Sequence, residues 1–232
     1  MTTDTTHDVK ALDARYVLQI YKRFPVVFVR GEGMRLIDED GRAYLDFLSG
    51  IGVASLGHAN RDLAQAIADQ AATLLHTSNL YHHPLQSELA ARLARLTGLD
   101  RTFVCNSGTE ANEACLKFVR RYWHRKSEPS RTKIIAFTNA FHGRTMGSLS
   151  VTWDPHYREP FAPLIPDVKF ASAAEPWLLA AMVDHDTAAI IIEPIQGEGG
   201  YLVAPTEFLQ GLERLCRRHG ILLVVDEVQS GM

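Results

Sequence analysis

The spacing of apolar residues changes near residue 61 and divides the chain into two regions. Residues 26–47 contain three short segments, VVFVRGEG, MRLIDEDG and RAYLDF, two of which end in glycine-containing turns, and they predict a small β-meander. Beyond residue 61, apolar residues recur at helical spacing in RDLAQAIADQAATLLH and LQSELAARLARLTG. We therefore expect residues 1–60 to belong to a small α+β domain and residues 61–232 to belong to a larger one.

Strands and helices are predicted to alternate between residues 102 and 225. The predicted strands are apolar throughout: TFVC (102–105), KIIAF (133–137), VKFA (168–171), AAIII (188–192) and ILLVV (221–225). Helices are predicted in LLAAMVDH, in EFLQGLERLCRRHG and after residue 107. The apolar face of this last helix is predicted to comprise Ala111, Ala114, Cys115, Phe118, Val119 and Tyr122. Strands with no polar face, alternating with helices, indicate an α/β fold with a mostly parallel sheet covered by helices.

Polar or glycine-rich residues follow four of the five predicted strands. They are NSGTE after 102–105, TNAFHGRT after 133–137, EPIQGEGG after 188–192 and DEVQ after 221–225. In open parallel sheets, ligands bind beyond the carboxyl ends of the strands. The four segments together therefore predict a ligand site at one edge of the sheet.

The first of these segments opens a helix at Ser107, Gly108 and Thr109. A helix N-terminus presents free N–H groups and a positive dipole end, which suit a phosphate group. The structural alternative is a capping box that pairs Ser107 with Glu110. No GxGxxG motif occurs, so a dinucleotide site is disfavoured.

The second segment contains an aromatic ring and a cation in a predicted loop. Phe141 is a candidate stacking platform, and Arg144 is a candidate two-pronged donor to a carboxylate. The alternative interpretation makes Phe141 a core residue and Arg144 a member of a surface ion pair.

Asp226 poses a different question, because it directly follows a strand that is predicted to be fully buried. An Asp-Glu pair after four apolar residues also occurs in nucleotide hydrolases that bind Mg²⁺, but those enzymes need a GxxxxGK[ST] loop. This chain contains no Gly-Lys dipeptide. A third interpretation places Asp226 opposite the protonated ring nitrogen of pyridoxal phosphate, with Gln229 near the ring hydroxyl.

Composition excludes several other classes of protein. The 232 residues are 46% hydrophobic and 22% charged, with a net charge of -3, which is typical of a globular protein and favours neither nucleic acid nor a membrane as partner. No apolar run approaches the ~20 residues of a membrane span. The polar N-terminus and three cysteines without a CxxC motif lead us to expect a cytoplasmic location. We expect no metal site.

Eight stretches, in order along nearly the whole chain, resemble a known family. They are FPVVFVRGEG, YLDFLSGIGVASLGHAN, HTSNLYHHPLQSELAARL, CNSGTEANEACLKF, AFHGRTMGSLSVT, FAPLIPDVKF, IIEPIQGEGGY and LLVVDEVQSGM. The chain is similar to class III (subgroup II) aminotransferases of fold type I, and most similar to the acetylornithine aminotransferases of arginine biosynthesis.

The resemblance implies pyridoxal 5'-phosphate as cofactor and assigns roles to matching positions. Ser107, Gly108 and Thr109 lie at the phosphate, and Glu193 lies beside the cofactor. The cofactor ring is implied to contact Phe141 and Val228 on its two faces, Asp226 at its nitrogen and Gln229 at its oxygen.

The resemblance also implies substrates and a partner. The reaction would transfer the δ-amino group of N-acetylornithine to 2-oxoglutarate and so form glutamate, in a homodimer. Arg144 would hold the α-carboxylate of acetylornithine. Glu198 would pair with a C-terminal arginine that grips glutamate.

The chain departs from the family at the catalytic lysine. Its six lysines are Lys10, Lys22, Lys117, Lys126, Lys133 and Lys169. None matches the family's cofactor-linked lysine, which follows a strand beyond the DEVQ segment. We therefore expect an incomplete copy of a longer enzyme, with the C-terminal part of the fold missing and no transamination by the chain as written.

Three alternatives remain open. The first is a related ω-aminotransferase that acts on ornithine, succinylornithine, 4-aminobutyrate or succinyl-diaminopimelate. The second is a fold-type I enzyme of another reaction type, such as a racemase or aminomutase. The third is a non-catalytic truncated chain.

Overall fold

The computed structural model describes residues 8–231, and the chain divides into two compact units, one up to Leu96 and one from Thr97. The domain boundary that we expect at residue 60 remains a prediction, since compactness alone does not define a domain. Among the described residues, no helix is both long enough and apolar enough to cross a membrane.

The first unit contains the predicted meander and four helical segments. Its strands are β1 (Phe28–Glu32), β2 (Arg35–Asp38) and β3 (Ala43–Leu45), and they form an antiparallel sheet in the order β1-β2-β3. Its helices are α1 (Val9–Tyr16), the single turn α2 (Ser49–Gly52), α3 (Arg61–Thr73) and α4 (Pro84–Thr97). The meander predicted from the turn residues is thus confirmed.

One residue organises the turn between β2 and β3. The buried Asp38 accepts hydrogen bonds from the backbone N–H groups of Asp40 and Arg42, at 3.0 and 2.8 Å, and from the Tyr44 hydroxyl at 2.9 Å. Gly41, between these donors, has a φ of +81°, which a glycine adopts without steric cost.

The second unit alternates helices with a parallel sheet. Its helices are α5 (Gly108–Arg125), α6 (Met146–Val151), α7 (Pro155–Arg158), α8 (Pro176–Met182) and α9 (Thr206–His219), with a 3₁₀ turn at Glu159–Phe161. Its strands are β4 (Lys133–Phe137), β5 (Val168–Ala171), β6 (Thr187–Ile192), β7 (Ile195–Gln196), β8 (Leu202–Val203) and β9 (Leu222–Val225). β7 and β8 form a separate antiparallel pair.

The main sheet has four parallel strands in the order β5-β4-β6-β9. Alternate residues of β4 and β6 enter two apolar clusters, because side chains of a strand alternate between its faces. Ile134 and Ile191 pack with α5, whereas Ile135 and Ile190 pack with α8 and α9. Helices therefore cover both faces, and the predicted α/β fold with a parallel sheet is confirmed.

Three local predictions are wrong. TFVC (102–105) is not a strand: none of its backbone groups pairs with a described strand, and Phe103 and Val104 are exposed. Residues 221–225 do form a strand over most of their length, but β9 is an edge strand, so Val225 is 47% exposed instead of buried.

The third error concerns the buried face of α5. Helix α5 buries Asn112, Leu116, Val119 and Trp123, whereas Phe118 and Tyr122 of the predicted apolar face are exposed. The buried residues have the expected spacing of three and four positions. The first of them, Asn112, is polar. A prediction based on apolar positions alone therefore selects the neighbouring stripe of the helix.

Candidate functional site

The carboxyl ends of β4, β6 and β9 and the N-terminus of α5 surround a cavity of about 280 Å³. We call it the Asp226 cavity. It is lined by Gly108, Thr109, Asn112, Phe141, His142, Gly143, Arg144, Glu193, Asp226, Val228 and Gln229. A parallel sheet places these segments at one edge, as the sequence predicts.

Asp226 is buried at the end of β9 and has a full set of donors. Its Oδ1 accepts the Val228 N–H at 3.0 Å, and its Oδ2 accepts Asn112 Nδ2 at 2.8 Å and His142 Nδ1 at 2.7 Å. Burial pulls the pKa of Asp226 upward, but these hydrogen bonds outweigh it and hold the pKa below its ordinary value. Asp226 is therefore ionised at neutral pH.

The contact with Asp226 determines which ring nitrogen of His142 carries a proton. An ionised carboxylate only accepts hydrogen bonds, so the proton between His142 and Asp226 belongs to Nδ1. The other nitrogen, Nε2, is buried and has no hydrogen-bond partner among the described residues. Asn112 also donates to the His142 carbonyl at 2.7 Å, so the same side chain holds both members of the pair.

A second carboxyl group, Glu193, lies in the same cavity and is perturbed in the opposite direction. One of its oxygens accepts the Phe141 N–H at 2.9 Å. Burial raises the pKa of Glu193, and the nearby negative charge of Asp226 adds to the rise. Two carboxyl groups with divergent pKa values in one cavity are typical of functional sites.

The start of α5 is capped, and it also lines the cavity. Ser107 Oγ accepts the Glu110 N–H at 3.3 Å, and the Glu110 carboxylate accepts the Asn106 N–H at 2.7 Å and also interacts with the backbone N–H of Ser107, so Ser107 and Glu110 pair as the capping-box alternative predicts. A Cβ at Gly108 would lie 2.6 Å from Val228 Cγ1, so only glycine permits this close approach. Gly108 and Thr109 line the cavity even though the helix N-terminus is capped.

Behind this wall, hydroxyl groups join α5 to α6. Thr109 Oγ1 lies 2.9 Å from Thr145 Oγ1 and 2.6 Å from Ser148 Oγ. The Glu113 carboxylate accepts from the Thr145 hydroxyl at 2.5 Å and from the N–H groups of Gly147 and Ser148 at 2.7 and 3.1 Å. The network fixes the rotamer of Thr109 and satisfies two of the N–H groups at the start of α6.

Phe141 lies between the Asp226 cavity and a second cavity of about 270 Å³. The second cavity is lined by Asn139, Ala140, Phe141, Thr152, Trp153, Asp154, Tyr157, Glu198 and Gly199. The Phe141 ring meets the Tyr157 ring edge-on, with centroids 6.2 Å apart. Arg144 forms no ion pair with any described residue, which disfavours the surface ion-pair interpretation.

The structure brings together most of the residues predicted from the sequence. Eight of them line the Asp226 cavity: Gly108, Thr109, Phe141, Arg144, Glu193, Asp226, Val228 and Gln229. Ser107 caps α5 and is not in the lining, and Glu198 lies in the second cavity. Their individual roles stay predictions.

Among the lining residues that the sequence does not predict are Asn112, His142 and Tyr157, which contact predicted site residues. His142 lies within the AFHGRT stretch, close to the predicted residues Phe141 and Arg144. Asn112 lies in phase with Leu116, Val119 and Trp123, so a polar residue on a buried face was the available signal.

Comparison with known proteins identifies the family of this chain. Residues 16–232 match the model of the family described as aminotransferase class-III. The chain belongs to the class III aminotransferases. The acetylornithine aminotransferase of Methanopyrus kandleri is 44% identical over 227 residues, which are 97% of this chain and 57% of that protein. That of Aquifex aeolicus is 47% identical over 218 residues, which are 94% of this chain and 58% of that protein.

Solved structures of aminotransferases have the same fold. The ornithine aminotransferase of Toxoplasma gondii superposes with a TM-score of 0.90 at 33% identity, over 99% of this chain and 55% of that one. A Bacillus anthracis aminotransferase gives a TM-score of 0.91 at 29% identity, over 100% of this chain and 57% of that one. The chain thus spans less than three-fifths of the length of these relatives.

Proposed function

We propose that this chain supplies the cofactor-binding half of a pyridoxal phosphate-dependent aminotransferase. The observation that carries the proposal is Asp226, a buried and ionised carboxylate at the edge of a cavity that also contains a helix N-terminus and an aromatic ring. A buried negative charge is costly unless a cation pairs with it. A protonated ring nitrogen is such a cation.

The residues present fit this cofactor. The N-terminus of α5 lines the cavity through Gly108 and Thr109, and a helix N-terminus presents free backbone N–H groups that suit a phosphate. The hydroxyl network orients Thr109 beside them. In this proposal Val228 and Phe141 contact the two faces of the ring, and Gln229 reaches its oxygen.

The proposal also assigns roles to the buried polar residues of the cavity. Asp226 keeps the ring nitrogen protonated, and Asn112 and His142 hold Asp226 in place. When bound, pyridoxal phosphate supplies an electron sink for the carbon whose proton is removed. Glu193, whose pKa is raised by burial, would lie beside the cofactor.

We propose N-acetylornithine and 2-oxoglutarate as substrates, in a cytoplasmic homodimer that serves arginine biosynthesis. Arg144 would bind the α-carboxylate of acetylornithine, for which its guanidinium has free donors, and Glu198 would lie in the part of the site that binds glutamate. The substrate rests on the names of relatives at 44–48% identity. Relatives named for ornithine make that amine the principal competitor.

A second candidate, cofactor binding without transamination, is favoured by one observation. None of the six lysines lines either cavity, so no described residue can carry the cofactor or move the substrate proton there. The two candidates differ only in whether another segment of polypeptide supplies a lysine.

Cofactor binding is tested by titrating pyridoxal phosphate into the purified protein and following its absorbance. We expect Asp226→Asn to weaken binding by about 30-fold or more, because a buried charge pair is worth about 2–5 kcal/mol when one partner is removed. Asp38→Asn, which neutralises a similarly buried carboxylate in the three-stranded sheet, should leave the affinity within about twofold. Equal affinities of wild type and Asp226→Asn would refute the proposed role of Asp226.

Turnover is tested separately on the native gene product, with N-acetylornithine, ornithine, succinylornithine, 4-aminobutyrate and succinyl-diaminopimelate as donors. Fastest turnover of N-acetylornithine with 2-oxoglutarate supports the proposed substrate. Activity that does not require 2-oxoglutarate would instead indicate a racemase or aminomutase. Tight cofactor binding without turnover, and without a borohydride-stable link to a lysine, supports the second candidate.

A further inference from the structure

Arg144 differs from a well-paired arginine of the same unit in how its side chain is held. Arg131 lies over the Trp123 ring and also donates to the Thr187 carbonyl and the Glu128 carboxylate. Arg144 lies over the Tyr157 ring, with Cζ 4.1 Å from the centroid, but donates to no described residue. The ring therefore holds the Arg144 guanidinium in place and leaves its five N–H donors free.

Tyr157 is itself fixed by its surroundings. Its N–H donates to the Asp154 carbonyl at 3.1 Å, while the Asp154 side chain caps the same turn by accepting the His156 N–H at 2.9 Å. The ring is half-buried, packs edge-on against Phe141 and also meets the His156 ring, with centroids 5.7 Å apart. A cation at this distance over an aromatic face is attracted by the ring quadrupole, and this attraction restricts a side chain that is otherwise flexible.

We propose that Tyr157 is a positioning residue for substrate recognition: its ring pre-orients Arg144 to bind the carboxylate of the amino donor. The inference rests on the proposed function, because it presumes that Arg144 meets a substrate carboxylate in the Asp226 cavity. Pre-orientation matters because a long side chain loses rotamer freedom on binding, and an arginine already held in place loses less.

The contribution comes from the ring and not from the hydroxyl group. No described residue forms a hydrogen bond with Tyr157 Oη, whereas the ring contacts both Arg144 and Phe141. Tyr157→Phe should therefore behave as the wild type. Tyr157→Leu and Tyr157→Met, which fill much of the same space without a π face, should not.

The experiment compares two probes that differ only in one carboxylate. N-acetyl-L-ornithine and N-acetylputrescine share the amine, the chain and the acetyl group, but only the first has a carboxylate. Binding of each probe is measured by calorimetry on the native protein loaded with pyridoxamine phosphate, which has no aldehyde to react with the amine of the probe, and the ratio of the two Kd values reports recognition of the carboxylate alone. General damage to the cavity affects both probes and cancels in the ratio.

We expect Arg144→Lys to lower this preference about tenfold or more, because lysine lacks the planar fork that binds a carboxylate. Tyr157→Leu and Tyr157→Met should lower it about three- to tenfold, the range of a partly desolvated cation–π contact. The matched control is Tyr122→Leu, which removes another half-exposed ring that lies under a cation, Lys126. It should leave the preference within about twofold.

The outcomes separate the inference from the proposed function. If Arg144→Lys lowers the preference and both Tyr157 variants retain it, Tyr157 does not position Arg144 and the proposed function stands. The inference also fails if Tyr157→Leu weakens both probes equally or if Tyr122→Leu has the same effect. An unchanged preference in Arg144→Lys, or no binding of either probe, would overturn the proposed substrate and the inference with it.

Discussion

The substitution Asn112→Leu tests whether one buried amide holds the cavity together. Asn112 Nδ2 donates to Asp226 Oδ2 at 2.8 Å and to the His142 carbonyl at 2.7 Å, and all three residues are buried. Leucine has a similar volume but no donor. The change therefore leaves one carboxylate and one carbonyl with fewer partners.

The magnitude follows from the two lost hydrogen bonds. A hydrogen bond to a charged group contributes about 1.5–3 kcal/mol, and a buried carbonyl left without a donor costs about 1–3 kcal/mol. The added apolar contact of leucine offsets part of this loss. We expect the free energy of unfolding at pH 7 to fall by about 3 kcal/mol.

The loss of folding stability in Asn112→Leu should also depend on pH, because the missing hydrogen bond was made to an ionisable group, Asp226. The folded-state pKa of Asp226 lies below its ordinary value, so its stabilisation is present above the unfolded pKa of about 3.9 and disappears as the pH falls through the folded pKa. Without Asn112 the folded pKa rises. The difference between wild type and Asn112→Leu should therefore shrink as the pH falls through the raised pKa of the variant towards the lower folded pKa of the wild type, below which Asp226 is protonated in both proteins.

Urea denaturation at pH 7, 5, 4 and 3 measures this difference. The matched control is Asn106→Leu, which removes an exposed amide whose Nδ2 donates to Glu110 at 3.3 Å and should cost less than about 0.5 kcal/mol. A loss below about 1 kcal/mol for Asn112→Leu, or a loss that is the same at pH 7 and pH 3, would refute the reasoning.

Other predictions concern close packing and a thiol. Gly143 has a φ of +127° and an added Cβ would overlap Thr109 Oγ1, so Gly143→Ala should destabilise the protein by about 1–3 kcal/mol and weaken pyridoxal phosphate binding in the absorbance titration. An added Cβ at Gly197 would overlap Gln229 Oε1, so Gly197→Ala should displace Gln229 and shift the absorbance maximum of the bound cofactor. Burial raises the pKa of Cys216 to about 11, so iodoacetamide at pH 8 should leave Cys216 unmodified until urea unfolds the protein, as peptide mass analysis would show.

The central strands of the second unit are predictable from the sequence because each is an almost continuous apolar run. KIIAF and AAIII contain no residue that prefers water apart from the first lysine, so only a strand buried on both faces suits them. The same reasoning failed for TFVC, because an apolar segment becomes a strand only when a neighbouring strand pairs with it. It also failed for the burial of β9, since strand order decides which strands lie at an edge, and composition carries little information on order.

The site residues at the ends of the strands are also only partly predictable from the sequence. Phe141 and Asp226 are candidates because an aromatic ring in a polar loop, or a carboxylate directly after an apolar strand, is unusual for its local sequence. Asn112 is ordinary in its own sequence, GTEANEACL, and its role depends on two partners that are 30 and 114 residues away. A polar residue in phase with the buried face of an amphipathic helix nevertheless has to find a partner, because an unpaired amide inside a protein is costly. When that helix begins at a strand end that already carries candidate ligand-binding residues, the expected partner is a polar group of the same site. Applied to the buried face of α5 that the structure defines, this rule selects Asn112, whereas the neighbouring stripe that an apolar count selects does not contain it.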